Sequence, residues 1–490
     1  MKILLISNGY PPHHWAGTET YTAGIAQTLH QRGYSVQVLC VGDWNKGPDY
    51  FNGITDQVYH DIPVRRLNLN WKHAPDPSGY LYNNPVAADY LTNYLDEVQP
   101  DLVHVTSCAR LSASILSVIK EAGLPLILSL TDFWFLCPRI NLLRSDDENC
   151  SGQTTPWECL RCQMRGTKIY RWSKKLLPAQ TVPTMLKVVS QYPQLTRHRG
   201  LRGMATDMTD RKAYLRHSLS LADYRITASH FVRDIFVQNG ITAPIKVQPY
   251  GHALSWLKRY KRKTPSEQFR LGFVGQISQA KGVHLLLEAA ISLQEEFGDK
   301  FSLVIYGNLD KDPAYGDLLR ELASKIRHIE FRGTYQREDS HKVYASFDAM
   351  VVPSLWYDFP LVIHEAFATQ TPVIATNLGG MAEVVTPAVN GLLFERNNVD
   401  DLSQQLRRLI TEPGLYETLQ RGTPPAKTVD QEVDELEIIY QELTTQPLSK
   451  VSSTGLNLLV SYILFASLNA PIFRNKCEWF SLSQVEKFFT

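Results

Sequence analysis

Length and charge limit what this chain can be. It has 490 residues, more than a single hydrophobic core usually organises, so two or more domains are expected. Lysine and arginine total 50 against 49 aspartates and glutamates, and this balance argues against a surface that binds nucleic acid throughout. Residues 1–7 hold too short an apolar run for a signal peptide and predict a buried strand, so we expect a cytoplasmic protein.

The first half of the chain alternates short apolar runs with helical patterns, which is typical of βα units around a parallel sheet. The first helix is predicted to begin near Gly17 and to stop at Gly33, with its apolar positions on one face. We therefore predict an N-terminal Rossmann-like domain over residues 1–255. Its candidate strands are 2–7, 35–41, 101–105, 125–130 and 224–228.

Four of the seven cysteines crowd one stretch of this domain that is rich in loop-forming residues. An odd cysteine count without a predicted export signal argues against a disulfide framework. Cys159 and Cys162 have the two-residue spacing of a tetrahedral thiolate knuckle, and Cys137 and Cys150 precede them. Two interpretations stay open for these four residues: a structural zinc site, or free thiols in a loop.

The stretch 161–216 is strongly basic, with thirteen lysines or arginines and two acids interleaved with apolar residues. This mixture suits contact with an anionic membrane surface or with a phosphate-bearing acceptor such as a polyprenyl diphosphate sugar. A solvated helical insertion is the alternative. Together with the cysteines, the stretch is predicted to form an insertion over about 137–216.

The βα alternation restarts after a charged, proline-bearing stretch, which we predict to be an exposed linker over 256–268. A second Rossmann-like domain is predicted over 269–427, followed by C-terminal helices over 428–490. The candidate strands of the second domain are 270–274, 301–306, 329–331, 349–352 and 372–375.

Residues 353–366 predict a strand end, a loop and the start of a helix, for which Asp358 is the candidate cap. The backbone N–H groups of Leu361 and Val362 would then be unpaired at the helix N-terminus, where an anion such as a diphosphate can bind. Glu365, about one turn further, could accept hydrogen bonds from the hydroxyls of a nucleotide sugar. The alternative is a capped helix in which Glu365 only favours the helix dipole.

This segment resembles the signature of retaining glycosyltransferases of family 4, in which proline-serine, a carboxylate, a proline or glycine, and glutamate-alanine follow in order. The resemblance continues through 371–376, 379–385 and 390–394. It implies the α/β fold called GT-B, in which two doubly wound Rossmann-like domains face each other across a cleft. It also implies that 428–445 crosses back onto the first domain, and that sugar transfer needs no obligatory metal.

The resemblance implies donor-binding residues in both domains. Lys281 is expected to bind the diphosphate, with an exposed loop lysine as the alternative, and Gln276 stands where the family usually has a second cation. In the C-terminal domain, the predicted donor-binding residues are these two together with Leu361, Val362 and Glu365. In the N-terminal domain, Gly17 is expected to allow a backbone N–H to approach the diphosphate, because glycine has no Cβ.

Residues 128–139 resemble a cysteine-containing branch of the same family. Thr131 stands where many relatives have a histidine that contacts the transferred sugar, and Asp132 follows it. A threonine hydroxyl can hydrogen-bond a sugar but cannot carry a charge near neutral pH. The resemblance therefore predicts a catalytic set of Thr131, Asp132, Asp358 and Glu365.

These features predict a hexosyltransferase-type enzyme of polysaccharide or glycolipid synthesis. It would move a sugar from a UDP- or GDP-sugar to a glycan or polyprenyl-linked acceptor, with peripheral contact at the inner membrane face and no nucleic-acid partner. The alternative is a GT-B protein that binds nucleotide sugar as a partner or regulatory subunit and has lost transfer. Three departures from the family pattern favour it: Gln276, Thr131, and six residues instead of seven between Asp358 and Glu365. A GT-B epimerase is disfavoured because such enzymes lack the 353–366 pattern.

Overall fold

The structure, a computed structural model, describes residues 1–146, 148–165, 181, 184–185, 188, 202–261, 263–264, 266–356 and 361–445. Asp358 and much of the basic stretch 161–216 lie outside the described residues, as does the chain after 445. Met1–Thr444 forms one compact unit, which contains two separate sheets. The two predicted doubly wound halves are confirmed.

The first sheet is almost entirely parallel. Its strands are β1 (Lys2–Ser7), β2 (Ser35–Trp44), β3 (Phe51–Tyr59), β4 (Ile62–Leu69), β5 (Leu102–Val105), β6 (Leu126–Ser129), β7 (Tyr224–Thr227) and β8 (Lys246–Val247). They are arranged in the order β3-β4-β2-β1-β5-β6-β7-β8. Only β3 is antiparallel, and His60 and Asp61, with φ of 49° and 63°, join it to β4 as a two-residue hairpin turn. This hairpin was not predicted.

The second sheet is parallel throughout. Its strands are β9 (Phe269–Val274), β10 (Phe301–Tyr306), β11 (Ile329–Gly333), β12 (Ala349–Val352), β13 (Val373–Thr376) and β14 (Gly391–Phe394). They are arranged in the order β11-β10-β9-β12-β13-β14. The switch in strand order beside β9 opens a crevice at the carboxyl ends of the strands, where open α/β sheets bind ligands.

Helices cover both faces of each sheet. They are α1 (Gly17–Gln31), α2 (Pro85–Val98), α3 (Ser114–Glu121), α4 (Pro156–Arg165), α5 (Arg202–Leu221), α6 (His230–Gln238), α7 (Val283–Phe297), α8 (Pro313–Ala323), α9 (Ser340–Ala345), α10 (Leu361–Ala368), α11 (Gly379–Val384), α12 (Val399–Thr411), α13 (Leu415–Arg421) and α14 (Val429–Thr445). Side chains of β1 alternate between the two faces: Leu4 packs with α2, α3, α5 and α6, whereas Leu5 packs with α1 and α14. Among the described residues, no helix is long and apolar enough to span a bilayer.

The C-terminal helix α14 returns to the first sheet. Val433, Leu436 and Tyr440 are buried in the cluster that contains α1 and β1. Arg32 of α1 pairs with Asp434 and Glu437 at 2.8 and 2.9 Å. The chain thus crosses between the domains a second time, and the two crossings meet where His252 pairs with Thr428.

The stretch predicted as an exposed linker is partly buried. It begins with a 3₁₀ turn, Ser255–Arg259, in which Trp256 is 2% exposed and stacks on Tyr344 with ring centroids 5.4 Å apart. The charged residues around Trp256 had suggested exposure, but the indole gains more from burial against the second domain.

Candidate functional site

The C-terminal wall of the cleft is formed by two loops that lock together. The loop after β9 ends at Gly282, whose φ of +68° favours glycine. A Cβ on this residue would lie 1.9 Å from the carbonyl oxygen of Pro353, in the loop after β12. Leu355 N–H also donates to the Ala280 carbonyl at 2.8 Å. The loop after β9, which carries Lys281, and the loop after β12, here called the donor loop, therefore pack together as one surface.

Lys281 lies on this surface. Its ammonium nitrogen is 5.4 Å from the ring centroid of Trp356, a cation–π distance, so the side chain is drawn toward the start of the donor loop. Gln276, by contrast, accepts a hydrogen bond from Lys311 Nζ at 3.4 Å. Lys311 is exposed and follows β10, and it supplies a positive charge beside the position where the family usually has one. The sequence interpretation had missed Lys311.

Glu365 is held firmly on α10. It is 4% exposed, and its two carboxylate oxygens accept hydrogen bonds from Arg337 Nη2 at 3.0 Å and from Tyr344 OH at 2.7 Å. Burial acts to lower the pKa of Arg337, but the ion pair with Glu365 raises it overall, so the guanidinium stays charged. Because each carboxylate oxygen can accept more than one hydrogen bond, Glu365 keeps capacity for ligand hydroxyls.

The structure describes α10 from Leu361 onward, and the first described residues contact both domains. Leu361 packs against the N-terminal cluster that includes Tyr21 of α1, while Val362 packs within the C-terminal domain. Leu361 of α10 therefore joins a hydrophobic cluster to which α1 also contributes side chains.

Two histidines, one on α10 and one beside it, have lowered pKa values. His364 stacks on His252 with ring centroids 4.7 Å apart. Burial lowers the pKa of His364 to about 4 and, together with His364 and Arg337, that of His252 to about 2. They add polar atoms to the crossing between the domains without adding positive charge.

The N-terminal wall is more open and is lined by hydroxyls. Gly17 begins α1, and no described atom lies within 4 Å of the position that a Cβ would take there. Thr18 donates to Thr131 Oγ1 at 3.1 Å, and Thr131 in turn donates to the Thr106 carbonyl at 3.1 Å. Thr131 therefore lies beside Thr18, the second residue of α1.

Asp132 caps the turn that follows Thr131. Its Oδ1 accepts a hydrogen bond from Trp134 N–H at 2.8 Å. Burial, reinforced by Glu19, raises the pKa of Asp132 to about 6, although Trp134 N–H and Arg211 oppose the shift. This aspartate is thus both a turn residue and a group that titrates close to neutral pH.

One further residue joins the walls and was missed from the sequence. Glu383 of α11 accepts hydrogen bonds from His230 and Phe231 N–H, at 2.9 and 3.0 Å, at the N-terminus of α6. A carboxylate of the C-terminal domain therefore satisfies the helix terminus of the N-terminal domain. In the sequence, only the place of Glu383 within the family-like stretch 379–385 pointed to a role for this residue.

The four predicted metal-site cysteines line one cavity of about 60 Å³, well separated in sequence from the donor loops. All four are free thiols. Among the described residues, no three histidine, cysteine or acidic side chains stand close enough to hold an ion in this arrangement. The structure therefore brings the four cysteines to one cavity without placing three of them close enough to bind a metal ion.

Comparison with solved structures identifies the fold. Sucrose-phosphate synthase from Thermosynechococcus elongatus aligns over 95% of this chain and 99% of its own, with a TM-score of 0.56 and 16% identity. Anabaena HepE in complex with UDP-glucose aligns over 95% and 100%, with a TM-score of 0.54 and 18% identity. The predicted GT-B fold is confirmed.

The family models agree with this fold. The chain has a domain matching "Glycosyl transferases group 1" over residues 255–424 and one matching "Glycosyl transferase 4-like domain" over 16–148. Both walls of the cleft fall within these ranges.

Curated relatives match a shorter part of the chain. An uncharacterized glycosyltransferase of Methanocaldococcus jannaschii is 32% identical over 146 residues, which are 30% of this chain and 36% of the relative. D-inositol 3-phosphate glycosyltransferase of Corynebacterium urealyticum is 28% identical over 186 residues, 36% of this chain and 44% of the relative. The chain thus spans less than half the length of these relatives.

Proposed function

We propose that this protein is a retaining glycosyltransferase that moves a hexose from a nucleotide-diphosphate sugar to a glycan or polyprenyl-linked acceptor. The observation that carries the proposal is the convergence of both domains beside α10: Leu361 packs against the cluster to which α1 contributes, and the loop that carries Lys281 packs against the loop after β12. Helix N-termini and lysine together suit a diphosphate leaving group. UDP or UDP-glucose is the first donor to test, because the complexes of Anabaena HepE contain them.

In the proposed reaction, the donor's diphosphate binds between the start of α10, Lys281 and the open backbone at Gly17. Positive charge from Lys281, with Lys311 nearby, offsets the negative charge that develops as the sugar leaves. Glu365 accepts hydrogen bonds from donor hydroxyls, and Arg337 and Tyr344 fix its orientation. These contacts require no metal ion as Lewis acid.

Thr131 and Asp132 act on the sugar side of this scheme. The Thr131 hydroxyl is fixed by Thr18 and Thr106, so a sugar hydroxyl would meet an oriented partner at low entropic cost. Asp132, with its pKa of about 6, would help to position the acceptor. Retention is proposed because residues 353–366 resemble the family 4 signature, and Asp358 keeps its predicted catalytic role as part of that proposal.

The acceptor and location are part of the same proposal. A polyprenyl-linked acceptor would place the protein at the inner membrane face, with the basic stretch 161–216 in contact with anionic lipid. Co-sedimentation with vesicles that contain anionic lipid, over a series of salt concentrations, tests this part. Failure to bind such vesicles at low salt would remove the membrane contact and would leave the transfer reaction unaffected.

Calorimetric titration with UDP-, GDP- and ADP-sugars tests the donor site. We expect one donor class to bind the wild type, with binding lost in Lys281→Ala and kept in Lys325→Ala, a control lysine that is exposed in the same domain. Turnover with an acceptor, followed by NMR of the product's anomeric configuration, then tests retention. Tight donor binding without turnover for any acceptor would favour the partner or regulatory function.

A further inference from the structure

Part of the N-terminal domain reaches across to the donor loop of the C-terminal domain. Leu143 pairs with Asn149 as an antiparallel bridge, and Arg144 N–H donates to the Glu148 carbonyl at 2.8 Å. Leu142, beside this bridge, is buried in the core of the N-terminal domain. The side chains of Glu148 and Asn149 are therefore presented from a segment that is fixed to that domain.

Arg396 lies opposite this segment, in the turn between β14 and α12. Around it, Glu395 N–H donates to Asp401 Oδ2 at 2.7 Å, and Asn398 caps α12 by accepting from Asp401 N–H at 3.0 Å. The Arg396 side chain is mostly buried. This arginine is therefore held in place by the C-terminal domain before it contacts the other domain.

The two domains meet at the backbone carbonyl of Leu355 in the donor loop. Arg396 Nε donates to this carbonyl at 2.7 Å. The Asn149 amide, oriented to satisfy both of its polar atoms, donates to the same carbonyl at 3.3 Å and accepts from Arg396 Nε at 3.2 Å. Glu148 adds an ion pair with Arg396 Nη1 at 3.4 Å. One side chain from each domain thus donates to a single carbonyl.

Leu355 connects this contact to the phosphate side of the site. It is buried, and its N–H donates to the carbonyl of Ala280, the residue before Lys281. The next residue, Trp356, has its ring centroid 5.4 Å from the Lys281 ammonium. A buried carbonyl that loses its donors raises the free energy of the arrangement, so these two donors favour the loop position that places Trp356 beside Lys281.

We propose that Asn149 and Arg396 are positioning residues that hold the donor loop through the Leu355 carbonyl. The N-terminal domain thereby sets the affinity of the C-terminal domain for its donor. The inference rests on the proposed function, because it takes the donor loop to bind the nucleotide sugar. Glu148 contributes little, since its side chain is 68% exposed and exposed ion pairs are weak.

The domains are also joined at a place that does not involve the donor loop. There Glu383 accepts hydrogen bonds from the N-terminus of α6. Removal of Asn149 or Arg396 leaves this second contact in place, so the change we expect is local to the donor loop.

Calorimetric titration with UDP-, GDP- and ADP-glucose tests the inference on the donor that binds the wild type. Asn149→Ala and Arg396→Ala should each weaken binding about threefold, because the Leu355 carbonyl keeps one donor. The double variant should weaken binding more than about thirtyfold, beyond the product of the single effects, because the carbonyl then loses both donors. Glu148→Gln should bind like the wild type, as should the control Arg407→Ala, which removes an exposed ion pair of the same domain.

Hydrogen exchange without donor gives a second readout that does not depend on sugar binding. Peptides that contain Leu355 should exchange about tenfold faster in the double variant than in the wild type, because the bond from Leu355 N–H to Ala280 opens more often. Thermal unfolding checks that the variant is folded.

Two calorimetric outcomes would overturn the inference: equal donor affinity in the wild type and the double variant, or single effects that simply multiply. The second would mean that Asn149 and Arg396 do not act through one carbonyl. A wild type that binds none of the donors would instead count against the proposed function. In that case the exchange experiment still decides the positioning, and unchanged exchange at Leu355 would overturn it.

Discussion

The two walls of the cleft are built in opposite ways. The C-terminal wall is close-packed: Gly282 touches the Pro353 carbonyl, and the buried carboxylate of Glu365 is held by Arg337 and Tyr344. The N-terminal wall is open at Gly17 and carries hydroxyls linked in a chain. The difference indicates that the first wall is preorganised for the donor, whereas the second keeps space for groups that the protein itself does not fill.

The largest expected effect is loss of the Glu365 carboxylate. Glu365→Gln should destabilise the protein by about 3 kcal/mol, because it leaves the partly buried charge of Arg337 without its carboxylate partner. Sugar transfer should also fall below detection. Chemical unfolding measures the first effect and a transfer assay the second.

A matched double variant separates these two effects. Glu365→Leu/Arg337→Met removes both charges and should recover most of the lost stability while transfer stays absent. Recovery of transfer in the double variant would show that Glu365 has only a structural role.

Close packing of the C-terminal wall predicts the next effect. Gly282→Ala should lower the free energy of unfolding by roughly 3 kcal/mol. Alanine would have to adopt the positive φ of this position, and its Cβ would collide with the Pro353 carbonyl oxygen. The control is Gly333→Ala, at φ +66° with no described atom near its Cβ position, for which about 1 kcal/mol is expected. Thermal unfolding of the pair decides the matter, and equal costs would mean that the two loops are not locked.

Asp132 should make stability depend on pH. Its folded pKa of about 6 lies above the ordinary value of 3.8, so the folded state retains a proton that the unfolded state has lost between these values. The stabilising contribution is therefore complete below about pH 4 and is lost as the pH rises through 6. Asp132→Asn should remove this loss and gain about 2 kcal/mol at pH 7 relative to the wild type. Unfolding curves from pH 4 to 7 check it, and parallel pH profiles for the two proteins would contradict it.

Buried strands were easier to predict from the sequence than exposed ones. Strands such as β1 and β12 were predicted because continuous apolar runs signal strands buried on both faces. The β3–β4 hairpin was missed because β3 is an edge strand with largely exposed side chains. Its apolar residues, such as Ile54 and Val58, are exposed and do not alternate with polar residues as in a half-buried strand.

In the candidate site, features set by neighbouring residues were predictable, whereas those set by distant contacts were not. The presence of helix α10 after β12 was predictable, because capping and proline preferences act within a few residues. The roles of Arg337 and Glu383 depend on contacts 28 and 153 residues away, which no local pattern records. The linker was predicted to be exposed because Trp256 has charged neighbours in sequence, but its indole stacks on Tyr344 of the second domain.

The open N-terminal wall gives a prediction with no stability effect. Gly17→Ala should leave the melting temperature unchanged, because the new methyl group meets no described protein atom. Donor affinity should fall about tenfold, since the methyl group would occupy space proposed for the diphosphate. Gly33→Ala at the other end of α1 is the inverse control: its φ of +87° predicts lower stability with unchanged affinity. Unchanged donor affinity in Gly17→Ala would remove Gly17 from the site.

The smallest expected effect concerns Lys311, which tests whether a cation outside the family motif acts on the donor. Lys311→Ala should weaken donor binding by about threefold, because an exposed charge beside Gln276 contributes well under 1 kcal/mol in high dielectric. The effect should shrink as salt rises, since exposed charges are screened within about 10 Å at 0.1 M. The variant Gln276→Arg should compensate for the loss if both side chains serve the same phosphate. Calorimetry at two salt concentrations on the two single variants and the double variant measures this coupling. Additive effects would show that Lys311 and residue 276 act on the donor independently. Lys281 would then be the one lysine of the C-terminal wall assigned to the phosphate that residue 276 contacts.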